Sequence, residues 1–370
     1  MLKNILSFLK KEVVLTISGI LAVISCFLVH PDSEYAGYID FHTILILFCL
    51  MAVMAGLKDI GLFQRVGETL LKKIHSERGI VMVLVFLCFI SSMFITNDVA
   101  LITFVPLALL IMAMARMESS LCFIITLMTI AANLGSMLTP IGNPQNLYLY
   151  SVSGMSLVDF LALMLPYTCV AAILLLVCIG VRFHSSEVPF ELPKRSSKLN
   201  RWRIIYYLIL FGLCLLTVAK ILPIGILFVI ILLAVLLDKR RLLLNIVYSL
   251  LLTFIFFFIF IGNMGRFPVF RDFISSILDG NERLVAVLSS QVISNVPAAL
   301  LLSGFTDKWN ALIVGTNLGG LGTLIASMAS LISYKQLAQN YPDKKGKYMV
   351  VFTIWNVVFL AVLYGISMVI

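Results

Sequence analysis

Polar residues are scarce along this chain, and their positions divide it into apolar runs of two kinds. Unbroken runs occur at about 13–30, 41–57, 158–182, 203–219, 221–237, 242–262 and 348–370. Each has the 17 or more residues that let a helix, rising 1.5 Å per residue, cross a hydrocarbon layer about 30 Å thick. Two further runs, 120–150 and 309–333, have that length but are interrupted by Gly, Pro, Thr and Asn. Two more, about 79–115 and 284–305, carry polar residues at their centres. No segment alternates apolar and polar positions as a barrel strand must. The pattern predicts an all-α polytopic membrane protein. The first run lacks a small-residue cleavage site and is expected to stay as a membrane helix.

The interrupted and polar-centred runs occur in pairs. SSMFITNDVA (91–100) aligns with SSQVISNVPA (289–298), and NLGSMLTPIGNPQN (133–146) aligns with NLGGLGTLIASMAS (317–330). Upstream, GLFQRVGETLL (61–71) and GRFPVFRDFIS (265–275) hold matching places and read as short interfacial amphipathic helices. Five crossings separate 41–57 from its counterpart 242–262, so the copies are expected to run in opposite directions. That is an inverted-topology repeat, the usual plan of secondary transporters. It divides the chain into an N-terminal half (1–182), a polar linker (183–202) and a C-terminal half (203–370).

The second copy sets the geometry expected of the first. The arms 284–293 and 296–305 have about ten residues each, or about 15 Å of helix, half of what a crossing needs. The segment must dip in and return, with Ser294 and Asn295 near mid-membrane. By the repeat, Thr96, Asn97 and Asp98 form the tip of an equivalent re-entrant hairpin. Its arms are longer, and on its own it also reads as two full spans joined by a turn in water. Hydroxyl and amide side chains at such tips can cap exposed backbone groups, and each second arm presents its N-terminal amides to the tip. In 135–146, Gly135, Pro140, Gly142 and Pro144 break the helix, as Gly319, Gly320 and Gly322 do in the other copy. Broken helices expose carbonyls suited to a cation such as Na⁺.

Asp98 is the only charged residue between Gly79 and Ala115. A carboxylate at membrane depth is costly unless neutralised, paired or functional, and no Lys, Arg or His lies near it in the membrane runs. It is expected to take up a proton or hold a cation, and its counterpart, Val296, cannot. The bland alternative is a protonated aspartate that caps its own hairpin helix.

Composition narrows the class further. Hydrophobic residues make up 61% of the 370 positions and charged residues 12%, too few to clothe a soluble core of this size. With the N-terminus in the cytoplasm, only Lys220, Arg266, Arg271, Arg283 and Lys308 fall outside, and the other 22 of 27 Lys and Arg lie on the cytoplasmic side. That asymmetry is the positive-inside rule, so the net charge of +9 reflects topology and not a nucleic-acid surface. The seven cysteines lie in apolar runs without a CxxC pair and read as small buried hydrophobes. HExxH, GxSxG and a second carboxylate beside Asp98 are all missing, which argues against an intramembrane enzyme.

The motifs TNDVALITFVP, GSMLTPIGNPQN and SNVPAALL, with the repeat, resemble the ion transporter superfamily. This group includes divalent anion:sodium symporters, citrate transporters, arsenite permeases and a branch of sodium–proton antiporters. The resemblance spans nearly the whole chain. It implies a homodimer working by an elevator-type movement, with hairpin tips and broken-helix loops forming the sites. On this chain that places the substrate at Thr96, Asn97, Ser294, Asn295, Thr139, Thr323 and Asn143. Coupling falls to Asp98, Asn97, Asn295, Gly135, Gly142 and Gly319, with Na⁺ expected at Asn97, Asp98 and Gly142. The symporters carry Ser-Asn-Thr at both tips, whereas here the third position is Asp98 or Val296, closer to the arsenite permease and antiporter branches. The expectation is a secondary transporter of a small anion or oxyanion, carboxylate or arsenite-like, coupled to H⁺ or Na⁺ in a prokaryotic cytoplasmic membrane. The alternative is a Na⁺/H⁺ antiporter with Asp98 as exchange site. No cofactor beyond the coupling ion is implied.

Overall fold

The computed structural model describes residues 12–72, 74–188 and 200–369. The N-terminal residues 1–11, Lys73 and most of the 183–202 linker, including Arg195, lie outside the described residues. So do Lys10 and Lys11, on which part of the expected topology rested.

The chain is all-α, and the described residues hold no β-sheet, only an isolated bridge between Ser76 and Glu187. The helices are α1 (Val13–Leu28), α2 (Phe41–Ile60), α3 (Leu62–Leu71), α4 (Glu77–Ile95), α5 (Asn97–Met114) and α6 (Leu121–Ser136). They continue as α7 (Pro144–Ser153), α8 (Leu157–Arg182), α9 (Arg201–Val218), α10 (Ile224–Lys239), α11 (Tyr248–Gly265) and α12 (Pro268–Leu278). The last are α13 (Glu282–Ile293), α14 (Asn295–Ser303), α15 (Trp309–Leu318), α16 (Met328–Asn340) and α17 (Lys345–Ser367). Seven helical segments among the described residues are long and apolar enough to cross a membrane. Apolar side chains such as Phe27, Ile173, Val177 and Leu237 are exposed around the bundle, as lipid contact requires. This is a multi-pass membrane protein.

The predicted breaks are present as gaps between short helices. The run 120–150 divides into α6 and α7, and 309–333 divides into α15 and α16, which continues to Asn340. One boundary differs from the hydrophobicity pattern: the run beginning at 242 starts with a 3-10 turn over Arg240–Asn245, and the helix proper begins at Tyr248.

The core forms around α6, whose sixteen residues are all buried except Phe123. Glycines let neighbouring helices approach it closely. A Cβ on Gly135 would lie 2.0 Å from the Phe89 carbonyl oxygen, so α4 runs directly against α6 there. Its aligned partner Gly319 would meet Ser290 Oγ at 2.6 Å, and α13 runs against α15 in the same manner. Two of the three glycines assigned to coupling, Gly135 and Gly319, therefore sit at helix crossings.

Charges collect at the two ends of the bundle. At one end Arg203 bridges Asp59 (3.3 Å) and Asp238 (2.6 Å), and Lys239 reaches Asp59 (2.6 Å), tying α2, α9 and α10 together. At the other, Arg266 pairs with Asp32 (2.7 Å) and Glu34 (3.3 Å) and holds the Asp32 carboxyl below the usual carboxylate range. The first end is braced by Tyr207, whose hydroxyl donates to Asp238 (2.8 Å) while its ring covers Gly56. A Cβ at Gly56 would lie 2.0 Å from that ring. Gly56→Ala is expected to displace Tyr207 and cost about 1–3 kcal/mol, read as a lower melting temperature in detergent. Adding Tyr207→Leu should cost less than the two single changes summed. Simple additivity would mean that the ring does not press on residue 56.

Candidate functional site

Each hairpin turns on one residue in an unusual backbone conformation. Thr96 joins α4 to α5 at φ 63°, ψ 147°, and Ser294 joins α13 to α14 at φ 75°, ψ 154°. A side chain in this region costs about 1–3 kcal/mol and persists only where the surroundings hold it. Here the surroundings are the broken helices. The Asn97 amide donates to the Gly142 carbonyl (3.1 Å), and the Asn295 amide donates to the Ala326 carbonyl (2.9 Å). Thr139 Oγ1 donates to the Met93 carbonyl and Thr323 Oγ1 to the Gln291 carbonyl. Each pair of bonds joins positions that align between the two segments.

The broken helices also bond to each other across the centre. Asn143 Nδ2 donates to Asn317 Oδ1 (3.2 Å), and Ser327 Oγ donates to Asn133 Oδ1 (3.0 Å). Asn317 Nδ2 reaches Asn146 Oδ1 (2.6 Å), and Asn133 Nδ2 reaches Ser330 Oγ (3.4 Å). These are again aligned pairs, with donor and acceptor segments exchanged. Asn97 enters the network through Nδ2, which donates to Asn133 Oδ1 (3.0 Å), while its Oδ1 accepts from the Asp98 amide (2.9 Å). Buried amides left without such partners would cost about 1–3 kcal/mol each, so the network fixes the tips as well as filling them.

A cavity of about 660 Å³ opens from the end of the bundle bearing Asp59 and Asn245 and reaches the first tip. Thr96, Asp98, Val99 and Asn143 form its inner end; Leu47, Met51, Ile102, Leu147 and Leu250 are among its apolar walls. Lys58 is the one basic side chain lining it among the described residues, at the mouth. Asp98 lies in the first turn of α5 with its carboxylate free of hydrogen bonds and ion pairs among the described residues. It thus faces the cavity without a counter-charge.

The structure therefore gathers Thr96, Asn97, Asp98, Gly142 and Asn143 around one end of the cavity. Asn97 lies just behind the wall, 5% exposed. Ser294 and Asn295 are buried at the second tip and do not line the cavity. Thr139 and Thr323 pin the loops to the hairpins, and neither reaches it. The second hairpin's arms are 12 and 9 residues, while the first hairpin's are 19 and 18, each about 27–29 Å and long enough to cross. The first tip packs against the broken helices, the Asn97 amide bonded to the Gly142 carbonyl and Asn97 Nδ2 to Asn133 Oδ1.

For a cation, the available oxygens are the Asp98 carboxylate, Thr96 Oγ1 and the second lone pairs of Asn97 Oδ1 and the Gly142 carbonyl. No group of three His, Cys, Asp or Glu occurs among the described residues, so this donor set suits a hard ion or a proton and not a transition metal. The Gly319 carbonyl is already engaged by Gln291 Nε2 (3.0 Å), which also donates to the Leu321 carbonyl (2.9 Å), while Gln291 Oε1 accepts from the Thr323 amide (2.9 Å).

Asn133, Asn146, Asn317 and Gln291 escape a reading of the sequence alone. The first and third recur in the aligned Asn-Leu-Gly triplets, which is a usable signal. Gln291 aligns with Met93, so comparing the copies conceals it.

Comparison with known proteins places these features in a wider group. A sequence model described as citrate transporter matches residues 5–306. An uncharacterised transporter of Methanocaldococcus jannaschii is 33% identical over 89% of this chain and 90% of its own length. The inner membrane protein YbiR of Escherichia coli is 30% identical over 84% of each. A silicon efflux transporter of rice is 31% identical over 40% of this chain and 30% of its own length.

Proposed function

This chain belongs to the citrate transporter family and is a transporter; from that premise we propose that it is a secondary active carrier of a small oxyanion, coupled to H⁺ or Na⁺ through Asp98. The observation that carries this reading is the unpartnered Asp98 carboxylate at the inner end of the cavity. A bare carboxylate repels an anion, so the coupling ion binds first, neutralises Asp98, and the anion follows. The first turn of α5 then offers the positive end of its dipole beside Thr96 and Asn143.

The lining favours a small substrate of low charge. A citrate trianion in an apolar cavity would need several cations beside it, whereas Lys58 is the one basic side chain among the described residues that lines this one. A weakly acidic oxyacid or a monocarboxylate can be held by hydroxyl, amide and dipole donors. The aligned hydrogen bonds support two copies of opposite sense. Both hairpins are bonded to the broken helices, so these elements can move together as the mobile body of an elevator. With the N-terminus cytoplasmic, the cavity faces the cytoplasm.

Liposomes with a trapped pH dye test the reading. Proton movement that appears only when one of a panel of small anions is added supports proton-coupled anion transport. Proton movement driven by a Na⁺ gradient alone makes the protein an antiporter with Asp98 as exchange site. Labelled-anion uptake that needs Na⁺ identifies a sodium symporter. Lys58→Gln adds a second discriminator at the mouth. Losing one steering cation is expected to raise the KM for an anion severalfold at low salt with little change in kcat. For a cation substrate the same change should lower KM or leave it unmoved.

A further inference from the structure

Away from the candidate site, a groove of about 540 Å³ lies between α8 and α17 over the start of α6. Its walls are apolar: Phe123, Val177, Val181 and Trp355. Val177 and Val181 are 54% and 80% exposed, so the groove opens sideways, where lipid chains lie around a membrane helix. From Lys347 to Trp355 it runs eight residues along α17, about 12 Å. Arg182, Lys347 and Ser120 line it where α8 ends and α6 and α17 begin.

The charges there are unbalanced. Neither Arg182 nor Lys347 makes an ion pair among the described residues. Glu118 is engaged elsewhere: its carboxylate accepts from the Tyr341 hydroxyl (3.4 Å) and its carbonyl from Lys344 Nζ (2.8 Å). Arg116, Lys344 and Lys345 add positive charge, against Asp343 and Glu118. A free phosphate would match the cations and leave the apolar wall uncovered. A zwitterionic lipid would cover the wall and bring its own ammonium to the cations.

We propose that this groove binds one anionic glycerophospholipid, with its phosphate between Arg182 and Lys347 and an acyl chain along Val177, Phe123 and Trp355. Basic groups between membrane helices at a headgroup level recognise anionic lipids in this way. Two such contacts give a preference of roughly tenfold to thirtyfold over a zwitterionic lipid.

The chain has three tryptophans, and Trp355 reports on the groove. In a Trp202→Phe/Trp309→Phe background, the protein is placed in phosphatidylcholine vesicles holding a small fraction of brominated lipid. Brominated phosphatidylglycerol is expected to quench Trp355 at a far lower mole fraction than brominated phosphatidylcholine. Arg182→Gln/Lys347→Gln should remove that preference. If the double variant does not fold, Lys347→Gln alone should reduce it roughly fivefold, and high salt should weaken it in the parent. Equal quenching by the two lipids overturns the proposal, as does a preference that survives both substitutions. The same preference reported by Trp202 alone would also overturn it, because it would mark general enrichment around the protein and not a site.

Discussion

Asp98→Asn is expected to yield a folded protein that no longer couples transport to an ion gradient. Asparagine keeps the shape of the side chain, and the bonds of the tip run through the Asn97 and Asp98 backbone and the Asn97 side chain, none of which the substitution touches. What disappears is the charge facing the cavity. A charged partner contributes about 1.5–3 kcal/mol to a bound ion, so affinity for the coupling ion should fall roughly tenfold to hundredfold. In liposomes, accumulation driven by the gradient should collapse. Passive exchange of the anion at equal concentrations should persist, because the carboxylate that repels an anion is gone. Unaltered ion dependence in Asp98→Asn would return the residue to the role of a helix cap and remove the basis of the proposed coupling.

Gly142→Ala should be the most damaging single methyl in the site. A Cβ there would lie 2.1 Å from the Ser136 carbonyl oxygen and 2.7 Å from its carbon, both backbone atoms that cannot rotate aside. The loop is also held on itself: the Gly142 amide donates to the Thr139 carbonyl (3.3 Å), and Asn146 Nδ2 approaches the carbonyls of Ser136, Met137 and Thr139 at 3.3–3.5 Å. Relief would have to come from moving the Gly142 carbonyl away from the Asn97 amide. The expected cost is about 1–3 kcal/mol in stability together with loss of transport. The aligned position gives the control, since Ala326 carries a methyl while its carbonyl accepts from Asn295. Ala326→Gly should cost no more than about 1 kcal/mol. A melting temperature for Gly142→Ala equal to the parent's would show that the loop has slack the contacts do not suggest.

The sequence made the membrane class and the helix breaks legible because both follow from local properties, run length and the chemistry of Gly and Pro. Thr96, Asn97 and Asp98 stood out for a similar reason: polar groups in an apolar run have few benign explanations. The network behind them did not, because its value lies in pairing. Asn317 acquires meaning only when Asn143 and Asn146, more than 170 positions away, are brought to it. Glycine was legible as a breaker and ambiguous beyond that. Gly135 and Gly319 fill the places where helices nearly touch, while Gly142 has its carbonyl at the tip. Periodicity also could not separate the Arg240–Asn245 turn from the helix after it, since three leucines in a row look the same in either.

The lack of a counter-charge at Asp98 also bears on membrane voltage. A proton or Na⁺ on Asp98 makes the occupied site electrically neutral before the anion is counted. Under the proposed cycle, the empty carrier moves with the one negative charge of Asp98 uncompensated, and the loaded carrier moves with the charge of its anion. Moving one elementary charge through the full potential is worth about 2.3 kcal/mol per 100 mV. For a monovalent anion coupled one to one, both movements therefore carry one negative charge and the cycle is electrically silent overall, while a current recorded without substrate would trace the return of the empty protein.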